Sequence, residues 1–353
     1  MSEKAIPRRG VRSPAEPNGT PVTIEEVAQL AGVSPSTVSR ILNGTATVSG
    51  AKQQAVADAI AQLGFVPNPM ARGLATGRTL SIGVVTQAID SPFYAGALRG
   101  IEDELDKAGY SPLFVSGHWD ATQEARCIDV LRSRRVDGLI VLTGRLSDAS
   151  LRTVAKSLPV VVTGRKLKAP GLYALDFDNI QGSRLATEHL LELGHRRIAF
   201  IAGDPLHPDA KARERGYREA LEAAGVAFDP SLVVPGAYQE EGGRLAVEQL
   251  LATKRRFSAL FAANDQMALG ALLCLHRHGL RVPRDVSLVG FDDLQVSMYV
   301  SPPLTTVRQP VQDLGRLAAQ AVLALLQGRA PTAVLPSPVL VVRDSTSAPS
   351  GRD

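Results

Sequence analysis

Arg40 leads the residues whose type and position could do chemistry. It sits in PSTVSRIL, residues 35–42, with Ser36, Thr37 and Ser39 beside it. On a helix, the planar fork of an arginine can take guanine O6 and N7 together, worth ~1–3 kcal/mol of discrimination between bases. The hydroxyls of Thr23, Ser34, Thr37 and Ser39 suit phosphate oxygens, contacts that fix register without reading sequence. A second set lies far along the chain. Asp292 follows the apolar run VSLVGF, Asn264 follows SALFAA, and Phe93-Tyr94 follow SIGVV. Ligands of open parallel sheets bind outside the carboxyl ends of the strands. A carboxylate, an amide and an aromatic platform are therefore expected along such an edge, a combination suited to a polyhydroxylated ring. Asn264 and Asp292 can equally cap the helices that follow them. His118-Trp119 also follow a strand and could face the same edge.

Other chemistry finds no footing. There is no G-x-S-x-G, Walker A or G-x-G-x-x-G run, so neither an activated nucleophile nor a phosphate cradle is written, and no enzyme is expected. His276 and His278 are two apart on a helix and point to different faces, which makes no metal site. No cofactor is expected.

Local signals place the first set on a helix pair. Thr23 and Glu26 form an S/T-x-x-E capping box, with Val22 and Val27 spaced as a hydrophobic staple. Ala28, Leu30 and Ala31 continue the apolar stripe, and Gly32 supplies the positive φ of a helix end. Ser34 can cap a second helix, with Pro35 in the first position where a missing N–H costs nothing. Val38, Ile41 and Leu42 then share one face, which leaves Pro35, Ser36, Ser39 and Arg40 on others. Ser49 can cap a third helix over Gly50–Leu63, with Val56, Ile60 and Leu63 inward and Gly64 closing it. Two short helices about a glycine turn are the helix-turn-helix arrangement, whose second helix enters the DNA major groove.

From Leu80 the pattern changes to short continuous apolar strands alternating with amphipathic helices, which indicates parallel sheets covered on both faces. One series runs from SIGVV (81–85) to PVVVTG (159–164), a second from RRIAFIAG (196–203) to VSLVGF (286–291), and the chain closes on VLVVRDS. Two series imply two sheets.

The 353 residues are too many for one core. No apolar run approaches the ~20 residues of a membrane helix, and the first twenty residues lack the apolar core of a secretory signal. Two distant cysteines, Cys127 and Cys274, give no disulfide framework and fit a reducing cytosol. The charge is uneven. Residues 1–78 hold eight Lys/Arg against five Asp/Glu, and the other 275 hold 31 against 30. Positive charge is thus concentrated where DNA phosphates would be met.

The run TIEEVAQLAGVSPSTVSRILN resembles the DNA-binding headpiece of the lactose-repressor/galactose-repressor (LacI/GalR) family of bacterial transcription regulators, and the resemblance continues to about Ser345. It implies an all-α helix-turn-helix headpiece joined to an α/β core of two Rossmann-like parallel-sheet subdomains, like that of periplasmic sugar-binding proteins. On that reading the chain divides into a disordered arm (1–20), a helix-turn-helix domain (21–65) and a hinge helix with linker (66–79). An effector-binding and dimerisation domain (80–345) and a disordered tail (346–353) follow. The crossovers between subdomains should lie near Asp176–Asn179, Thr305–Gln309 and after Gly328. Pro35 and Ser36 occupy family positions that help choose the operator. Leu74, flanked by Ala71 and Arg72, stands where the family wedges a leucine into the minor groove, which an apolar side chain can unstack and kink. Arg213 stands at the position of an effector-contacting arginine, and Asp292 at that of an effector-binding carboxylate.

The expected protein is a cytoplasmic homodimeric repressor with no membrane association. It would bind a near-palindromic double-stranded operator and answer to a sugar-like small molecule. The alternatives are a cytosolic sugar receptor without a DNA role and a regulator that answers to a purine or a phosphorylated metabolite.

Overall fold

The computed structural model describes residues 22–42, 48–66, 77–253 and 255–351. The arm and the hinge residues Ala71, Arg72 and Leu74 lie outside them. The chain separates after Gly77 into two units.

The first unit carries α1 (Ile24–Ala31), α2 (Pro35–Leu42) and α3 (Gly50–Leu63). The capping box forms: the Glu26 N–H donates to Thr23 Oγ1, and Glu26 Oε2 accepts from the Thr23 N–H at 2.7 Å. Gly32 ends α1 at φ 64°. Val27, Ala28, Val38, Val56 and Ala59 are the buried centre, and Val22, Ile41, Leu42, Ile60 and Leu63 pack around it. A core this small leaves stability modest.

The second unit is built from two sheets with one repeated strand order. The first contains β1 (Ser81–Thr86), β2 (Ser111–Ser116), β3 (Gly138–Val141), β4 (Val160–Thr163) and β5 (Leu172–Leu175), all parallel, in the order β2-β1-β3-β4-β5. The second contains β6 (Ile198–Ala202), β7 (Val233–Pro235), β8 (Ala259–Ala262), β9 (Ser287–Asp292), β10 (Thr305–Arg308) and β11 (Val339–Val341), in the order β11-β10-β9-β8-β6-β7. Each order reverses once, between β1 and β3 and between β6 and β8, and ligands bind at such switch points.

The helices α4 (Pro92–Lys107), α5 (Ala121–Ser133), α6 (Asp148–Ala155), α7 (Asn179–Glu192), α8 (Pro208–Ala223), α9 (Glu240–Ala252), α10 (Asp265–Arg277) and α11 (Val311–Leu326) cover the sheets. Phe200, Tyr217, Phe261 and Phe291 lie in the core of the second subdomain. Among the described residues no helix is long and apolar enough to cross a membrane.

Three details depart from the sequence reading. Thr305–Gln309, expected as a crossover, is a strand as far as Arg308, and only then does the chain pass to α11, which lies against α4 of the first subdomain. The last strand is antiparallel, with Val339 opposite Arg308. The chain returns from α11 to the edge it left and must run the other way. Residues 346 and 347, expected in a disordered tail, are held: Thr346 Oγ1 meets His189 Nε2 at 2.9 Å, and Ser347 bonds to His195 and Ser287. The Thr346 hydroxyl and the Ser347 backbone find partners remote in sequence.

The α4–α11 contact is set by glycines. A Cβ on Gly315 would collide with the Ala97 carbonyl oxygen, and one on Gly100 with that of Gln312. Gly315→Val should therefore cost about 1–3 kcal/mol by overpacking. At about 2–4 °C per kcal/mol, a circular-dichroism melt should register a Tm lowered by several degrees. An unchanged Tm would mean the helices can part freely.

Candidate functional site

On the headpiece, Ser34 Oγ accepts from the Thr37 N–H at 3.2 Å, the cap expected of it. The same hydroxyl meets Ser36 Oγ at 2.9 Å and Thr37 Oγ1 at 2.8 Å, so the start of α2 is a linked row of hydroxyls. Burying Val38 turns Pro35, Ser36 and Arg40 to the exposed side, while Thr37 and Ser39 are half-buried. The Thr23 hydroxyl is exposed and engaged in its capping box.

In the second unit, Phe93, Tyr94, Arg213, Asn264 and Asp292 line one cleft of ≈180 Å³. It lies at the carboxyl ends of both sheets, and Trp119, Asp204, His207, Asp209 and Tyr238 complete its wall. Arg213 and Asp292 are both nearly fully buried and 3.6 Å apart. The Arg213 guanidinium also donates to Asn179 Oδ1 at 2.8 Å and to the Ala263 carbonyl, and lies 3.9 Å over the Phe291 ring. Asn264 caps α10, since Oδ1 accepts from the Met267 N–H at 2.9 Å, and its Nδ2 donates to the Tyr238 carbonyl at 3.1 Å. Its polar atoms are engaged even as it borders the cleft. Asp292 caps nothing. Its Oδ1 accepts from Gln309 Nε2 at 2.7 Å, and its φ of 115° is strained by about 1–3 kcal/mol.

Sequence reasoning gave His118-Trp119 only as a pair that could face this edge and passed over His207 and Tyr238. The His207 ring stacks on Trp119 at 3.7 Å between centroids, and on Tyr238 at 5.4 Å. Trp119 and His207 belong to different subdomains, and Arg145 joins Asp204 across the same boundary at 2.9 Å. The one available signal for Tyr238 was its place just past β7, at a strand's carboxyl end. His207 Nε2 and the Tyr238 hydroxyl are buried with no hydrogen-bond partner. Such atoms cost free energy unless something else meets them.

Burial dominates the electrostatics. It pushes the Asp292 carboxyl up to about 7, against the pull of Arg213. It also raises Asp209, and lowers His207 to about 4, so that imidazole is neutral near pH 7. A ligand hydroxyl that donates to ionised Asp292 would bind the deprotonated protein, so affinity should rise with pH and level off above 7. We expect binding about tenfold weaker at pH 6 than at pH 8, as the ionised fraction falls. Titrating the quenching of Trp119, the single tryptophan, would check this. A flat profile would remove Asp292 from ligand contact. Among the described residues no group of three or more His, Cys, Asp or Glu is placed to hold a metal ion.

Residues 23–68 match the family of bacterial regulatory proteins, lacI family, and residues 187–346 match the periplasmic binding protein-like domain. The HTH-type transcriptional regulator GalR of Escherichia coli K12 is 37% identical over 331 residues, 93% of this chain and 96% of GalR. Among solved structures, the transcriptional regulator CelR–cellobiose complex gives a TM-score of 0.69 at 37% identity, covering 92% of this chain and 99% of that one. The lac repressor dimer bound to operator and the anti-inducer ONPF gives 0.85 at 32% identity, covering 93% and 100%.

Proposed function

Because the chain belongs to the lacI family of bacterial regulatory proteins, we propose that it is a transcription repressor whose grip on its operator is set by an uncharged, sugar-like molecule in the cleft. It acts as a homodimer, one headpiece on each half of a near-palindromic site, and with DNA as its partner it works in the cytoplasm. It catalyses no reaction. In this reading Arg40 reads a base, Pro35 and Ser36 shape the choice of operator, and Thr23, Ser34, Thr37 and Ser39 hold phosphates. Leu74, with Ala71 and Arg72, opens the minor groove between the half-sites.

The observation that carries the effector class is the cleft's set of hydrogen-bonding atoms. The Tyr238 hydroxyl and His207 Nε2 lack hydrogen-bond partners, although Nε2 lies 3.6 Å from an Asp204 oxygen, and they lie among aromatic rings beside Asp209 and Asp292. Rings that stack and groups that hydrogen-bond suit a sugar. Arg213 is engaged by Asp292, Asn179 and the Ala263 carbonyl, and Arg145 by Asp204. A phosphorylated metabolite would therefore meet carboxylates with no spare cation, so the cleft favours a neutral ligand. The CelR relative was solved with cellobiose, which makes that sugar the first to try. Phe93, Tyr94, Arg213, Asn264 and Asp292 are its contacts.

Selection of bound duplexes from a random pool at physiological salt, with and without cellobiose and common monosaccharides, tests the whole reading. A palindrome whose enrichment changes with one sugar supports it, and no enriched sequence would end it. Arg40→Ala should lower affinity for the selected operator by ~1–3 kcal/mol while salt-sensitive non-specific binding stays. Equal loss on every duplex would make Arg40 a phosphate contact.

A further inference from the structure

We infer that Asp293, the neighbour of the cleft residue Asp292, is the positioning residue that ties effector occupancy to two of the crossovers between subdomains; this rests on the effector reading above. Its carboxylate is only 9% exposed and holds two arginines. Oδ2 accepts from Arg308 Nε at 2.6 Å, and Oδ1 from Arg343 Nη2 at 2.5 Å. Arg308 is the last residue of β10, where the chain leaves for α11. Arg343 follows β11, where the chain has just come back. Arg343 is fixed further by donating to the Leu304 carbonyl at 2.7 Å, while its own N–H donates to Thr305 Oγ1 at 2.9 Å. One buried carboxylate thus clamps the outgoing and the returning segment together.

The clamp adjoins the ligand. Gln309, next to Arg308, donates its side chain to Asp292 Oδ1 at 2.7 Å and its backbone N–H to the Asp292 carbonyl at 3.3 Å. Asp292 and Asp293 both have positive φ, 115° and 57°, so the backbone turns sharply between them. Asp292 lines the effector cleft. Asp293 does not, and instead borders an adjoining groove with Arg308 and Gln309, which Asp292 and Phe93 also line. A ligand hydroxyl on Asp292 Oδ1 competes with the Gln309 amide for the same lone pairs. With Arg308 held by Asp293, loss of that bond moves the crossover as a unit about a fixed point. Without the clamp, the segment only loosens and the signal is lost.

The test uses the full-length Asp293→Asn protein. Its first readout needs no ligand: hydrogen exchange in peptides covering 305–311 and 340–344 should quicken about tenfold, with β6 and β8 unchanged. Its second uses cellobiose as the probe. Trp119 titration should give an affinity within about threefold of the parent, while the sugar's effect on operator affinity falls about tenfold or more. Arg308→Gln removes only the half-exposed arm and should shift both readouts the same way by less, should Asp293→Asn not fold. Unchanged exchange at the crossovers overturns the inference. So does parallel loss of sugar affinity and coupling, which would make Asp293 a structural staple. Should the parent's operator binding ignore every sugar, the effector reading fails, and the exchange arm still decides whether Asp293 clamps the crossovers.

Discussion

Replacing Arg213 with methionine should abolish the response to effector while leaving the non-specific DNA binding of the headpiece in place. Arg213 is 4% exposed and touches four groups at once: the Asp292 carboxylate, the Asn179 amide, the Ala263 carbonyl and the Phe291 ring. Methionine keeps the apolar contact on the ring and removes every hydrogen bond. Asp292, already raised to about 7 with Arg213 present, would then be buried without its cation. Breaking a buried pair from one side costs about 3–5 kcal/mol, and here the carboxyl escapes by taking a proton. A protonated Asp292 loses its strength as an acceptor for ligand hydroxyls. The fall in sugar affinity should be about a hundredfold or more, equivalent to ~3 kcal/mol. Titration of Trp119 quenching measures it, and fluorescence anisotropy on a labelled operator follows the lost response. An affinity within tenfold of the parent would reduce Arg213 to a packing residue.

The largest expected loss of stability comes from Asp265→Ala. Asp265 is fully buried at the start of α10, where burial raises its carboxyl to about 6 despite three donors. Oδ2 accepts from the Leu294 N–H at 2.8 Å and Ser297 Oγ at 2.7 Å, and Oδ1 from Thr306 Oγ1 at 2.6 Å. The side chain therefore pins the turn after β9, which carries Asp292, to the neighbouring β10. Alanine would strand three buried donors at about 1–3 kcal/mol each, relieved in part by entering water. A net cost of about 3–5 kcal/mol corresponds to a Tm lower by about 10 °C in a unit of this size. Calorimetry would record it, and a loss under about 2 °C would mean that the turn is held elsewhere.

Residues that act through their neighbours in sequence were legible. Thr23, Glu26 and Gly32 make a helix end within one turn, so the capping box and its stop could be read directly. Asp292 and Asn264 were found because a strand's carboxyl end is a local mark. The partners that give them meaning were not. Nothing near Asp292 announces Gln309 or Arg213, and nothing near Asp293 announces Arg308 and Arg343, because those bonds close across the fold. Thr346 and Ser347 looked like a polar tail for the same reason. The Gly100–Gly315 crossing joins helices on either side of a whole subdomain, and each glycine alone reads only as a weak point in a helix. Trp119 and His207 sit in loops, where no periodicity betrays which side chains meet.

That crossing also sets an order of events at the ribosome. The strands of the first sheet are all synthesised by Leu175, yet α11, whose Ala318, Ala319 and Val322 close the cluster containing Ile82, Val84, Ile140 and Val161, is finished only at Leu326. At about 5–20 residues per second, the intervening ~150 residues take roughly 8–30 s. For that time the nascent chain carries an apolar sheet face covered by α4 but not by α11, a surface for chaperones to shield. The whole second subdomain except its last strand is made in the interval. The helix-turn-helix unit emerges first and the last residue lining the cleft, Asp292, only about 230 residues after Leu63, so a nascent chain carries its headpiece well before it carries a complete cleft.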